Sequence, residues 1–102
     1  MPYGDFINQI PALGFLAIHA TAFLIGSFFA WRSFGARASA LGWGFSLFAL
    51  AELSYMTYHL DWTVFLFAHT IAEVLDLVAF VLVFAAAVFQ AVRRPALGLT
   101  NQ

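Results

Sequence analysis

Three ionisable residues interrupt the longest apolar run of this chain. His69, Glu73 and Asp76 are spaced i, i+4 and i+7, with mainly Val, Leu, Ile, Phe and Ala around them. On an α-helix that spacing places all three on one stripe. Ionisable groups inside a hydrophobic segment cost roughly 2.5–3.5 kcal/mol each on insertion scales, and they persist where they face a partner, a cavity or a metal. Further candidates are His19 upstream and Glu52 and His59, which flank Tyr55 and Met56. The last four fall within about a third of a turn of one another at 3.6 residues per turn.

The first chemistry such residues suggest is metal binding. Two imidazoles and two carboxylates form a plausible ligand set for Zn, Cu or Fe. His19, Glu52, His69 and Glu73 are the expected ligands, with Asp76, His59 and Tyr55 supporting them. An ion would neutralise carboxylates for which no Arg is at hand. The paired Glu-x-x-His pattern of di-iron bundles is not matched, so a single ion is the simpler expectation.

Three other readings compete. In one, His69–Glu73, Glu52–His19 and Asp76–Thr21 are hydrogen-bonded pairs that hold helices together, at about 0.6 kcal/mol per interhelical bond. The chain would then be an accessory, packing subunit of a respiratory or photosynthetic membrane complex. In another, a His–carboxylate pair accepts protons from a quinol, with His59 and Asp61 leading to the surface. In the last, His19 and His69 are axial ligands of a haem or chlorophyll. No residue set for acyl or phosphoryl transfer and no Gly-rich phosphate loop is present. A stand-alone enzyme is therefore not expected, while a site inside a larger membrane oxidoreductase stays open.

These residues must be positioned by membrane helices. Of 102 residues, 64% are hydrophobic and 9% charged, where soluble chains carry about 25% charged residues. The expected class is an all-α integral membrane protein, a single domain with three transmembrane helices running up, down and up. The spans are expected over residues 11–32, 39–60 and 62–92. A net charge of −1 gives no basic surface for nucleic acid, and the absence of cysteine excludes disulfides, thiolate metal sites and covalent haem. No basic segment precedes the first apolar run, so a cleaved signal peptide is not expected.

Punctuation supports this division. Pro11 suits the first turn of a helix. Arg32 to Ser39 reads as a loop around Gly35, Asp61 and Trp62 as a tight turn, and Arg93-Arg94-Pro95 as the end of the third helix. Gly14, Ala22, Gly26, Gly42 and Gly44 would let helices approach closely. Tyr3, Trp31, Trp43, Tyr58 and Trp62 fall near the expected boundaries, where amphipathic aromatics anchor.

Charge sets the orientation. Arg32, Arg37, Arg93 and Arg94 share one side, and Asp5 and Asp61 the other. The positive-inside rule places the N-terminus outside and the C-terminus in the cytoplasm, in a bacterial inner membrane if the host is a bacterium. At the helical rise, His59 is then about 4 Å deep, His69 about 11 Å, His19 about 12 Å and Glu52 about 14 Å from the outer boundary. Glu73 follows at about 17 Å and Asp76 at about 22 Å. Each span thus brings a ligand-type residue to one layer in the outer half of the bilayer. Three helices do not enclose such a layer, so a homo-oligomer or a larger membrane complex is expected.

Overall fold

The computed structural model of the chain describes residues 3–100, with side chains described to residue 93; the Arg94 side chain and residues 1–2 and 101–102 lie outside it. A short 3-10 helix, Asp5–Gln9, leads into three α-helices: α1 Ala12–Gly35, α2 Ser39–His59 and α3 Phe65–Thr100. Among the described residues there are no strands. α1 and the Phe65–Arg93 stretch of α3 are long and apolar enough to cross a membrane. α2 is not among them, since Glu52, His59, Ser39, Ser46 and Ser54 dilute its apolar content.

Both connections are tight. α1 ends with Arg37 in the left-handed region (φ 62°), and α2 ends with Asp61 there (φ 64°). The Arg37 N–H donates to the Phe34 carbonyl and the Ala38 N–H to Ser33. The Asp61 N–H donates to Tyr58 and the Trp62 N–H to Thr57. The same crossed pair of bonds satisfies the last carbonyls of each helix, as in a Schellman cap. Neither left-handed residue is glycine. The expected marker Gly35 instead closes α1 as its last helical residue.

Two expected boundaries are corrected. α3 begins at Phe65 rather than residue 62, because the Asp61 cap turns the chain through Trp62 and Thr63 first. It also continues past Pro95 to Thr100. Proline lacks the N–H that would bond four residues back and commonly breaks a helix interior. Here it falls in the last two turns, where few further bonds depend on it.

The packing is a single layer with α2 in the middle. Phe29 stacks on Phe45, and Phe34 meets Trp43 edge-on, so α1 and α2 run antiparallel. Tyr58 meets Phe65, and Gly44 lies against Val83, so α2 and α3 do too. α1 packs on α2 and α2 on α3, while α1 and α3 make no backbone approach among the described residues. The outline, 59 × 31 × 21 Å, is correspondingly flat.

Small residues make the layer close-packed. The buried apolar side chains are all alanine: Ala30, Ala49, Ala51, Ala68, Ala72 and Ala79. Gly26, Gly42 and Gly44 are buried beside them. A methyl group on Gly44 would come within 2.6 Å of Val83 Cγ2. Small side chains let helix backbones approach, which is how apolar helices associate where water supplies no driving force. The large residues are turned outward, with Trp31, Trp43 and Trp62 each more than half exposed at the helix ends.

Candidate functional site

One face of the layer collects nearly every candidate residue. α2 presents Phe45, Phe48, Glu52, Tyr55 and His59 at spacings of three and four, which is one helical stripe. α1 answers with Phe15, His19, Ile25 and Phe29, and α3 with His69, Asp76, Phe80 and Val83. Because α1 and α3 stand apart, the face is a groove floored by α2.

The polar end is built around His19. Its Nδ1 lies 2.5 Å from Oε2 of Glu52, and both side chains are largely buried, 19% and 13% exposed. With the carboxylate ionised, the imidazole N–H donates. The His19 ring stacks on Tyr55 at 5.0 Å and on His59 at 5.4 Å, and His59 stacks in turn on Phe15 at 4.9 Å. Tyr55 then carries the connection to the third helix, its hydroxyl 3.2 Å from Nδ1 of His69. The phenol donates when Nδ1 is unprotonated and accepts when Nδ1 carries the proton. Phe65, one turn earlier on α3, stacks on His69 at 5.1 Å.

In His19 and His69, then, Nδ1 is oriented by a partner. Nε2 has no partner among the described residues, yet no buried polar side-chain atom lacks one. Neither Nε2 is therefore fully buried. With Glu52 ionised and the imidazole neutral, His19 Nε2 offers a lone pair.

The chain matches no model of a known protein family, no curated protein and no solved structure. The reading of the site therefore rests on its own geometry.

Of the four expected ligands, the structure joins His19 directly to Glu52 and leaves the other two apart from them. His69 pairs with Tyr55 rather than with Glu73, and Glu73 is exposed. Among the described residues, no three His, Asp or Glu side chains converge on one point. Asp76 lies within electrostatic reach of Glu52 and Glu73, and all three acids are within reach of the Tyr55 hydroxyl. The expected Asp76–Thr21 pair is not formed, because the Thr21 hydroxyl donates to the Ala17 carbonyl of its own helix. Thr57 does likewise to Ser54 and also meets Thr63 across the turn.

Sequence reasoning under-weighted Tyr55, treated as support beside Glu52, and did not single out Phe15 and Phe65. Tyr55 carried a usable signal. It lies three residues after Glu52 and four before His59, so it must share their stripe.

Proposed function

We propose that the chain is a three-span integral membrane protein whose His19–Glu52 couple takes up and releases a proton inside the bilayer. The observation that carries this reading is the Nδ1–Oε2 contact, which leaves His19 Nε2 without a partner among the described residues and not fully buried. A carboxylate that holds one imidazole nitrogen fixes the tautomer and leaves the other nitrogen as a base. Tyr55 and His69 extend the hydrogen-bonded set to the third helix, and His59, stacked on His19, lies between the couple and the α2–α3 turn. The arginine distribution supports an N-terminus outside and a C-terminus in the cytoplasm, across the inner membrane if the host is a bacterium. Partner helices, from a second copy or a larger complex, would cover the opposite side of the layer, around Leu50, Leu53, Phe67 and Ile71.

The test is pH-difference infrared spectroscopy on protein in lipid nanodiscs. A titrating carboxyl band is expected that disappears in Glu52→Gln and shifts in His19→Asn. An unchanged band in both variants overturns the reading.

Metal binding is the second reading. It is favoured by the same Nδ1 contacts, because imidazole ligands to metals commonly donate their other nitrogen to a carboxylate or similar group. His19 and His69 would bind Zn, Cu or Fe through Nε2, and Glu73 would re-aim to complete the set, with Glu52, Tyr55, Asp76 and His59 around it. Haem or chlorophyll ligation would use the same two nitrogens. Metal analysis with an absorption spectrum, on protein gently purified from its native membrane, separates these. A stoichiometric metal lost in His69→Ala supports an ion, a Soret or chlorophyll band supports a macrocycle, and neither leaves the proton couple.

A further inference from the structure

Asp76 takes no part in the His19–Glu52 pair, which is the one ion pair among the described residues. It stands about 16 Å along α3 from Phe65 at the helical rise, near the middle of a hydrocarbon layer about 30 Å thick. An acid at that depth is costly and marks a partner or a cavity. Here a cavity is present. Asp76 lines a groove with Ile25 and Phe29 on α1, Phe45 and Phe48 on α2, and Phe80 and Phe84 on α3, and it is the only ionisable residue of that lining. The groove holds about 580 Å³, within the roughly 300–1,000 Å³ typical of small-molecule sites. Gly44 and Ala79 also line it and are too small to fill it. Phe29 stacks on Phe45 at 5.4 Å, and Phe80 meets Phe84 at 4.3 Å, so paired rings stand on both sides.

We infer that this groove binds a lipophilic organic cation, its charge beside Asp76 and its apolar groups along Phe29, Phe45, Phe48 and Phe80. The site is separate from the proton couple, since neither His19 nor Glu52 lines it. Charge complementarity selects the ligand. Glu52 and Glu73 lie within electrostatic reach of Asp76, and no Arg lines the groove, so a cation is attracted and an anion repelled. The aromatic walls act in the same sense, because the faces of phenylalanine rings attract cations. Other occupants fit less well. A lipid acyl chain would cover the walls and leave Asp76 facing hydrocarbon, which is the costly arrangement. A bare metal ion would want several ligands, and no three His, Asp or Glu side chains converge among the described residues. A second copy would have to bring a basic group to this depth. Its arginines are 32, 37, 93 and 94, which stand at the ends of the apolar stretches.

The test is equilibrium dialysis of tetraphenylphosphonium against full-length protein in detergent, with binding to protein-free micelles subtracted. Tetraphenylborate, an anion of the same shape, is the control. Saturable, near-stoichiometric binding of the phosphonium is expected, and none of the borate. Asp76→Asn should weaken phosphonium binding about tenfold or more, a change of about 1.4 kcal/mol. Ile25→Trp, at a groove position 51% exposed, should weaken it by filling the space and leave the elution profile and the Glu52 infrared band unchanged. No saturable binding by the wild type overturns the ligand class. Equal binding of the borate, or undiminished binding by a folded Asp76→Asn, overturns the role of the charge. Undiminished binding by Ile25→Trp overturns the groove, and that variant and the borate comparison decide the matter if Asp76→Asn does not fold. Efficient disulfide cross-linking between copies carrying Ile25→Cys in native membranes would put a second copy in the groove and also overturn the proposal.

Discussion

At one end of the layer α1 and α2 meet through His19, Glu52, Tyr55 and His59; at the other they meet through Gly26, Gly42 and Phe48. The two regions hold the same pair of helices together by different means. At the glycine end the backbones approach closely, and the fit tolerates little: a methyl on Gly26 would come within 2.8 Å of the Phe48 ring. At the histidine end, long side chains span the gap, and their hydrogen bonds contribute only about 0.6 kcal/mol each on average between membrane helices. The difference teaches that the polar end is poorly explained as glue. On the proposed reading, stability resides in the small-residue crossings and the polar end is left for chemistry.

That contrast can be broken or sharpened by substitution. The largest effect is expected at the small-residue crossings. Gly44→Leu drives a side chain into Val83, which is β-branched and cannot swing aside. A loss of about 1–3 kcal/mol or more is expected from overpacking, measured by reversible unfolding in mixed micelles. Glu52→Gln comes next. It should remove the titrating carboxyl band yet shift stability by less than about 1.5 kcal/mol, because the amide still bonds His19. A Glu52→Gln loss as large as that of Gly44→Leu would show that the polar end is structural after all. Tyr55→Phe keeps the ring stacked on His19 and deletes the bond to His69, for an expected loss of about 0.6 kcal/mol. The smallest change lies in the turns. Asp61→Gly relieves a left-handed non-glycine residue at the cost of chain entropy, a net gain of about 0.5 kcal/mol in the same unfolding assay.

Much of this arrangement was legible beforehand, for a specific reason. Helical periodicity fixes which residues share a face, so the stripe of Glu52 and His59 and the stripe of His69, Glu73 and Asp76 follow from spacing alone. The helix ends were less legible. Their caps use Arg37 and Asp61 in the left-handed conformation, and neither residue type announces that conformation as glycine does. Pro95 misled because proline's cost depends on how much helix follows it.

Sequence by itself determined an all-helical chain of three helices, with Glu52 and His59 on one stripe and His69, Glu73 and Asp76 on another; of the three spans it led us to expect, two helices are long and apolar enough to cross a membrane. Those properties are local: composition, length and a period of 3.6 residues decide them. Only the tertiary structure decided that the helices form a flat layer, that His69 turns to Tyr55 rather than Glu73, and that α1 and α3 leave a groove between them. Such features depend on which small residues allow backbones to meet and how the two capped turns aim successive helices. Helix periodicity says which way a side chain faces, but not what stands opposite it.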